Sequence, residues 1–512
     1  MLPDWPPLAW VAHLDDGSNL RVIAGPGVHR DPNGAFFCEA VWDGDFSRGD
    51  FDQTDLIFGS GARHRDAGWT FVGSSTTVDR LHRMRSGTTW LISNSLAALL
   101  SVSGARCTLD PSKAFAFFES VIGGLDRYRK RLPTDRDEIE LTYHRNLQAV
   151  AAPSGPWRVT EIEKPLPKRD FGNFDAYRDF LSSAMRRLVD NAASPNRQTP
   201  FDPIATISTG YDSTASAAIA AEAGVRHTIS VDLGRGEVED DGSGIARMLG
   251  MIPNVVRRDR SLNSDETLPL FLASDAKGED AYFGDAFETL RGKMLITGYS
   301  GSRVWDYSPS DYQGLRRGDQ SGLSHTEARL HGGYLHVPVP FFAGTQESDI
   351  RALGRRDEMR RWQVGGDYDR PVCRRILETA GVPRDAFGQD KKAASVLWFD
   401  RRNRLPEATR QDLLAWRRSA SSMQTDGLPK RHRDLWMLPR RFLRWLTGIE
   451  RIRDWPLVNR LHREGRVMRF AQREPSFDDL FSWALQRTIE RYPVDPSHLP
   501  AADPTPSHTK KV

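Results

Sequence analysis

Apolar positions along this chain come in two rhythms. Up to about residue 155 they form short runs cut by turn residues: Leu20–Ala24, Ala35–Trp42 and Thr89–Ser93. Runs of this length, rich in β-branched and aromatic residues, predict a strand-rich first domain over 1–155. From about residue 170 the rhythm changes. Tyr177–Ala192 has helical periodicity, and apolar runs at Pro203–Ile207, His227–Val231, Asn254–Val256 and Arg291–Gly298 then alternate with helix-forming stretches. Strands alternating with helices predict a parallel sheet over 170–430. The Pro-rich stretch from Ala152 to Lys168 is read as the link between the two.

The sharpest local signal is Ile207-Ser208-Thr209-Gly210-Tyr211-Asp212-Ser213. A β-branched run stops at a small-residue turn, and the alanine-rich Ala215–Ala223 follows as a helix. Strand, tight turn, helix aims backbone N–H groups and a positive helix end at a phosphate. In parallel sheets such loops lie at the carboxyl ends of strands, where ligands bind.

Composition narrows the alternatives. At 512 residues, more than one domain is expected, and the 39% hydrophobic and 27% charged fractions are those of a soluble globular protein. No apolar stretch is long enough for a bilayer span and Met1–Trp5 lacks the features of a signal peptide, so the expected compartment is the cytoplasm. Cys38, Cys107 and Cys373 are far apart, which argues against a zinc cluster or a disulfide scaffold. The net charge is only +3, so any basic partner surface must be local. One candidate is the arginine-rich stretch 431–492, interleaved with Trp436, Phe442, Trp445, Trp455 and Phe470. Such a segment binds nucleic acid or an anionic membrane surface, or forms helices with one apolar face and a solvated basic face; the helical extension is the reading taken. Residues 493–512, rich in Pro and Ala, are expected to be disordered.

The run Ser208–Ser213 resembles the pyrophosphate-binding loop of the ATP pyrophosphatases, in particular of the asparagine-synthetase-like enzymes, with Thr209 in place of a glycine. Four further stretches resemble that family in its order. Leu91–Leu100 looks like a strand leading into a helix in the family's amino-terminal glutaminase domain; Leu2 stands where the nucleophilic cysteine would be, which implies a sandwich without glutaminase activity, as in β-lactam synthetase and the lasso-peptide cyclases. Thr297-Gly298-Tyr299-Ser300-Gly301-Ser302 resembles the second motif, with Ser302 in place of a Mg²⁺-binding aspartate, and Leu335–Phe342 resembles a third, with His336 in place of a glutamate. Asp390-Lys391-Lys392 falls where the family carries its catalytic lysine, and either Lys391 or Lys392 fits.

The resemblance implies a degenerate amino-terminal-nucleophile-hydrolase sandwich followed by a parallel-sheet ATP-pyrophosphatase domain. It implies an ATP-dependent ligase that adenylates a small-molecule or peptide carboxylate and transfers it to an amine, with ATP and Mg²⁺ as cofactors. Ser208, Thr209, Gly210, Tyr211, Asp212, Ser213 and Gly298 would form the nucleotide cradle, Ile207 and Val231 would flank the adenine, and Asp212 would bind Mg²⁺, with Asp306, Asp232, Asp241 or water completing its shell. Tyr299 and His336 would be an acid–base pair, and Lys391 or Lys392 the catalytic cation. Two alternatives remain: a nucleotide-binding scaffold, suggested by Thr209, Ser302 and His336, and a nucleic-acid-modifying ATP pyrophosphatase, suggested by the basic stretch.

Overall fold

A computed structural model describes residues 1–15, 20–66, 68–152, 155–262, 265–310, 315–317, 319–366, 368–390, 392–396, 405–423 and 479–494. The amino-terminal half contributes β1 (Trp10–Leu14), β2 (Leu20–Ala24), β3 (His29–Arg30), β4 (Phe36–Trp42), β5 (Ile57–Arg65), β6 (Gly68–Val72), β7 (Leu81–Ser86), β8 (Thr89–Ser93), β9 (Arg131–Leu132), β10 (Ile139–Thr142), β11 (Asn146–Ala152) and β12 (Gly155–Ile162). They pair antiparallel into two six-stranded sheets, ordered β2-β1-β8-β7-β10-β9 and β12-β11-β6-β5-β4-β3. The period of two in β1 shows why they stack. Trp10, Ala12 and Leu14 enter the core shared with Phe37, Ala62 and Phe71 of the other sheet, while Val11 joins the larger cluster that includes the helix Leu96–Ser103. Trp10 meets Phe37 edge-on, with ring centroids 5.2 Å apart.

The Pro-rich stretch begins inside this sandwich. Asn146–Ala152 and Gly155–Ile162 pair as β11 and β12, and Pro156 lies on edge strand β12 at the register shift between Val150↔Arg158 and Ala152↔Gly155. An edge strand at a bulge tolerates a residue that cannot donate. The sandwich therefore runs to Ile162, and the connection is confined to 163–172.

The second half is built on β13 (Asp202–Thr206), β14 (His227–Val231), β15 (Ile252–Val256), β16 (Lys293–Thr297) and β17 (Leu335–Pro338). These form a parallel sheet ordered β15-β14-β13-β16-β17. The order reverses at β13, so the crevice between the carboxyl ends of β13 and β16 is the switch point where ligands bind in such sheets. The helices Phe174–Ala192 and Asp212–Glu222 cover one side of this region.

The halves meet through buried charge. Arg329, on the helix His325–Gly332, pairs with Glu39 of β4 at 2.7 Å and with Asp79 at 2.8 Å, all three side chains almost wholly buried. The helix Leu480–Ile489 lies against the helix Leu268–Asp275. Beyond it, the Tyr492 hydroxyl bonds Ser95 and Glu327, both at 3.1 Å, and Trp5 donates to the Pro493 carbonyl at 2.8 Å. The aromatic residues of 431–470 and all of 495–512 lie outside the described residues. Among the described residues, no helix is long and apolar enough to cross a membrane.

Candidate active site

The loop after β13 is held in shape by its own hydroxyls. Ile207 keeps sheet register through its N–H to the Ile229 carbonyl at 3.0 Å. The Ser208 and Ser213 hydroxyls lie 2.7 Å apart, and the Gly210 N–H donates to Ser208 Oγ at 3.1 Å. Thr214 Oγ1 reaches the carbonyls of Ser208 (2.8 Å) and Gly210 (2.7 Å), tying the turn to the first turn of the helix Asp212–Glu222. Among the described residues no side chain caps that helix start, so its first N–H groups face the turn.

Three glycines let other segments close on this loop. A Cβ on Gly298 would come within 2.3 Å of the Asp212 carbonyl carbon, one on Gly301 within 2.6 Å of the Asp212 side chain, and one on Gly242 within 2.7 Å of Ser208 N. The turn after β16 is thus pressed onto the helix start, through Ser300 in the left-handed region at φ 70°. The result is a cleft of about 190 Å³. Ile207, Ile229, Val231, Ala393 and Ala394 supply its apolar lining, and Ser208, Gly210, Asp212 and Ser213 its polar lining. Tyr211 also borders it, its hydroxyl bonded by Arg374 and its ring covered by Gly388 at φ 65°.

Thr209 itself does not border the cleft, but its partners do. Its N–H and hydroxyl both donate to Asp240 Oδ1, at 3.1 and 2.7 Å. Burial pushes the Asp240 carboxyl up, opposed by those two hydrogen bonds and the charge of Lys392. Lys392 Nζ lies 3.2 Å from Thr209 Oγ1 and 2.8 Å from the Glu239 carbonyl, and its side chain borders the cleft. Lys391 lies outside the described residues.

The carboxylates considered as partners of Asp212 are engaged elsewhere. Asp306 is paired with Arg351 at 3.1 Å and Arg370 at 2.6 Å, Asp232 accepts from Arg258 N at 2.9 Å, and Asp241 caps Ser243 N at 2.9 Å. No group of three His, Cys, Asp or Glu side chains arranged for a metal occurs among the described residues. The carboxylates that border the cleft are Asp212, Asp240, which is held by Thr209, and, from a segment the sequence did not single out, Asp319, with the Ser302 hydroxyl beside them. That set fits Mg²⁺, which is often held by one or two carboxylates with phosphate oxygens and water as the rest of its shell.

Tyr299 borders the cleft; His336 does not. His336 is 1% exposed, with Nε2 2.8 Å from Thr297 Oγ1 and its ring 5.2 Å from that of Tyr299. The imidazole that reaches the Tyr299 hydroxyl is His325, whose Nε2 lies 3.3 Å away and whose Nδ1 is 2.8 Å from the Tyr334 hydroxyl. Tyr282 adds a second phenol, 2.6 Å from that of Tyr299. Burial pulls His325 down to about 3, so the ring is neutral. Burial and the neighbouring Tyr282 and Asp280 hold the Tyr299 phenol well above its usual range, so it keeps its proton at neutral pH. Such a pair can pass a proton but begins uncharged.

Sequence reasoning missed Tyr282, His325 and Asp319 because none belongs to a local motif. The contact of Asp240 with Thr209 spans 31 positions, beyond the reach of any local pattern. The sequence matches no protein-family model and no curated protein.

Proposed function

We propose that this chain is an ATP-dependent carbon–nitrogen ligase of the asparagine-synthetase-like kind. The observation that carries the reading is the juxtaposition, at the switch point of a parallel sheet, of the Ser208–Ser213 turn, an uncapped helix start and the Lys392 ammonium around one cleft. In the first step a substrate carboxylate oxygen attacks the α-phosphorus of ATP, and the bond to the β-phosphate breaks to release pyrophosphate. In the second an amine attacks the acyl carbon, the bond to AMP breaks, and the nitrogen loses a proton as the amide forms.

Ser208, Ser213 and the N–H groups around Gly210 would hold the leaving pyrophosphate, with Ile207 and Val231 against the adenine. Lys392 would offset charge growing on the phosphate and on the tetrahedral oxyanion, a contribution whose loss typically slows a reaction ~10²–10³-fold. The amine proton would pass to the Tyr299 oxygen as the phenol gives its own proton to neutral His325, 3.3 Å away. Mg²⁺ at Asp212 would supply counter-charge to the triphosphate. The amine would be ammonia, a second substrate or a group of the same molecule.

The test is pyrophosphate release from ATP, screened against amino-acid and peptide carboxylates, for the wild type and Asp212→Asn. Release that needs magnesium and is abolished in the folded variant is expected. ATP binding indifferent to both magnesium and Asp212→Asn would refute the assignment.

A further inference from the structure

The loop differs from its family pattern at Thr209, and that side chain makes contacts a glycine could not. Its hydroxyl donates to Asp240 Oδ1 at 2.7 Å, which leaves the oxygen lone pairs toward Lys392 Nζ at 3.2 Å. The ammonium is held from a second side by the Glu239 carbonyl at 2.8 Å. The segment carrying Lys392 is fastened on both flanks: Gly388 N–H donates to the Thr209 carbonyl at 2.8 Å, and the Ala393 carbonyl accepts from Arg235 N at 2.7 Å. Both attachments are to backbone next to the cleft, so the lysine stem is brought in by the fold while its tip is set by Thr209.

A lysine side chain carries about 2 kcal/mol of rotamer entropy, so an ammonium tethered only by its stem is dispersed over many positions. Two fixed acceptors remove most of that freedom before any ligand arrives, and preorganised charge is worth more than charge recruited on binding. We propose that Thr209, oriented by Asp240, is a positioning residue that holds the Lys392 ammonium on the phosphate loop as a resident counter-charge for a di- or triphosphate. The inference rests on the reading of the cleft as an ATP site. It gives Lys392 the role of serving the phosphate, because Thr209 offers its acceptor to that residue.

The probes are inorganic pyrophosphate and ATP, titrated calorimetrically into the full chain with EDTA and again with magnesium. Thr209→Val keeps the shape and removes the hydroxyl; Thr209→Ser restores it. In EDTA, Thr209→Val is expected to bind pyrophosphate roughly tenfold more weakly, the size of one hydrogen bond to a charged group, with Thr209→Ser close to wild type. Lys392→Met should lose at least as much, and the double variant Thr209→Val/Lys392→Met no more than Lys392→Met alone, since the hydroxyl acts through the ammonium. If Thr209→Val proves unfolded by circular dichroism, Thr209→Ala removes the same hydroxyl with less bulk and should weaken binding likewise. Wild-type affinity in Thr209→Val, or losses that add in the double variant, would overturn the inference while leaving the ATP site standing. A wild type that binds neither probe, with or without magnesium, would overturn the ATP site and the inference with it.

Discussion

A single methyl group at Gly298 tests whether the turn after β16 and the phosphate loop act as one unit. The added Cβ would sit 2.3 Å from the Asp212 carbonyl carbon and 2.4 Å from both the Asp212 oxygen and Ser213 N. All three are backbone, so no side chain can swing aside. Ordinary contact requires the two segments to part by about 1 Å. Overpacking of this kind typically costs about 1–3 kcal/mol, which a chain with ordinary stability survives. The functional loss should be larger, because a displacement of about 1 Å at a positioned group can cost ~10²-fold. Thermal melting with and without Mg·ATP reads both effects. Saturating ligand at about 100 times its Kd stabilises the wild type by about 2.7 kcal/mol, a shift that should nearly vanish in Gly298→Ala. Gly244→Ala is the control. Gly244 lies in the helix Ser243–Met248 with no atom within 4 Å of its added Cβ, so alanine should gain about 0.5–1 kcal/mol and leave the ATP shift intact. A Gly298→Ala protein that melts and responds to ATP like the wild type would refute the proposed coupling of the two segments.

Two further predictions concern buried charge. Arg329→Met leaves Glu39 and Asp79 buried with no cation, and should lower the urea unfolding free energy by about 3–5 kcal/mol, with part of the loss recovered on acidification as the carboxylates protonate; a loss under 1 kcal/mol would contradict the account. Asp275 is wholly buried and raised to about 7 against an ordinary 3.8, so its contribution to stability is full below pH about 4 and is lost as pH rises toward 7. Asp275→Asn retains an acceptor for the N–H groups of Lys277 and Gly278, both at 2.8 Å, so it should match the wild type at pH 4 and exceed it at pH 8; equal pH dependence in the two proteins would count against the burial argument.

What could be read from sequence was local. The strand–turn–helix at 203–223 is set by β-branched residues, then small ones, then alanines, and all the information lies within one stretch. The same holds for β14, β16 and the helix Phe174–Ala192. β17 escaped notice because Pro338 and Pro340 masked a four-residue strand on the sheet edge, and Pro156 disguised a strand pair as a linker. The site was legible where its parts were contiguous and obscure where they were assembled from a distance. His336 had the right spacing from a motif, yet the imidazole that reaches the Tyr299 hydroxyl belongs to His325, on a helix outside every motif. Nothing in the neighbourhood of Asp212 announced that Asp306 would be claimed by Arg351 and Arg370.

The Arg329–Glu39–Asp79 pairing also bears on how the halves of this protein can be exchanged. Glu39 and Arg329 are separated by 290 positions and belong to different sheets' surroundings, yet each is nearly inaccessible to water in the joined molecule. A sandwich transplanted onto another parallel-sheet partner would carry two buried carboxylates with no cation, and the abandoned half would carry the reverse. Either chimaera would lose about 3–5 kcal/mol at the contact unless a compensating residue were supplied. The sandwich is therefore tied to its companion as a matched counter-ion, and recombination between relatives of this chain should conserve those two positions as a set or lose the junction.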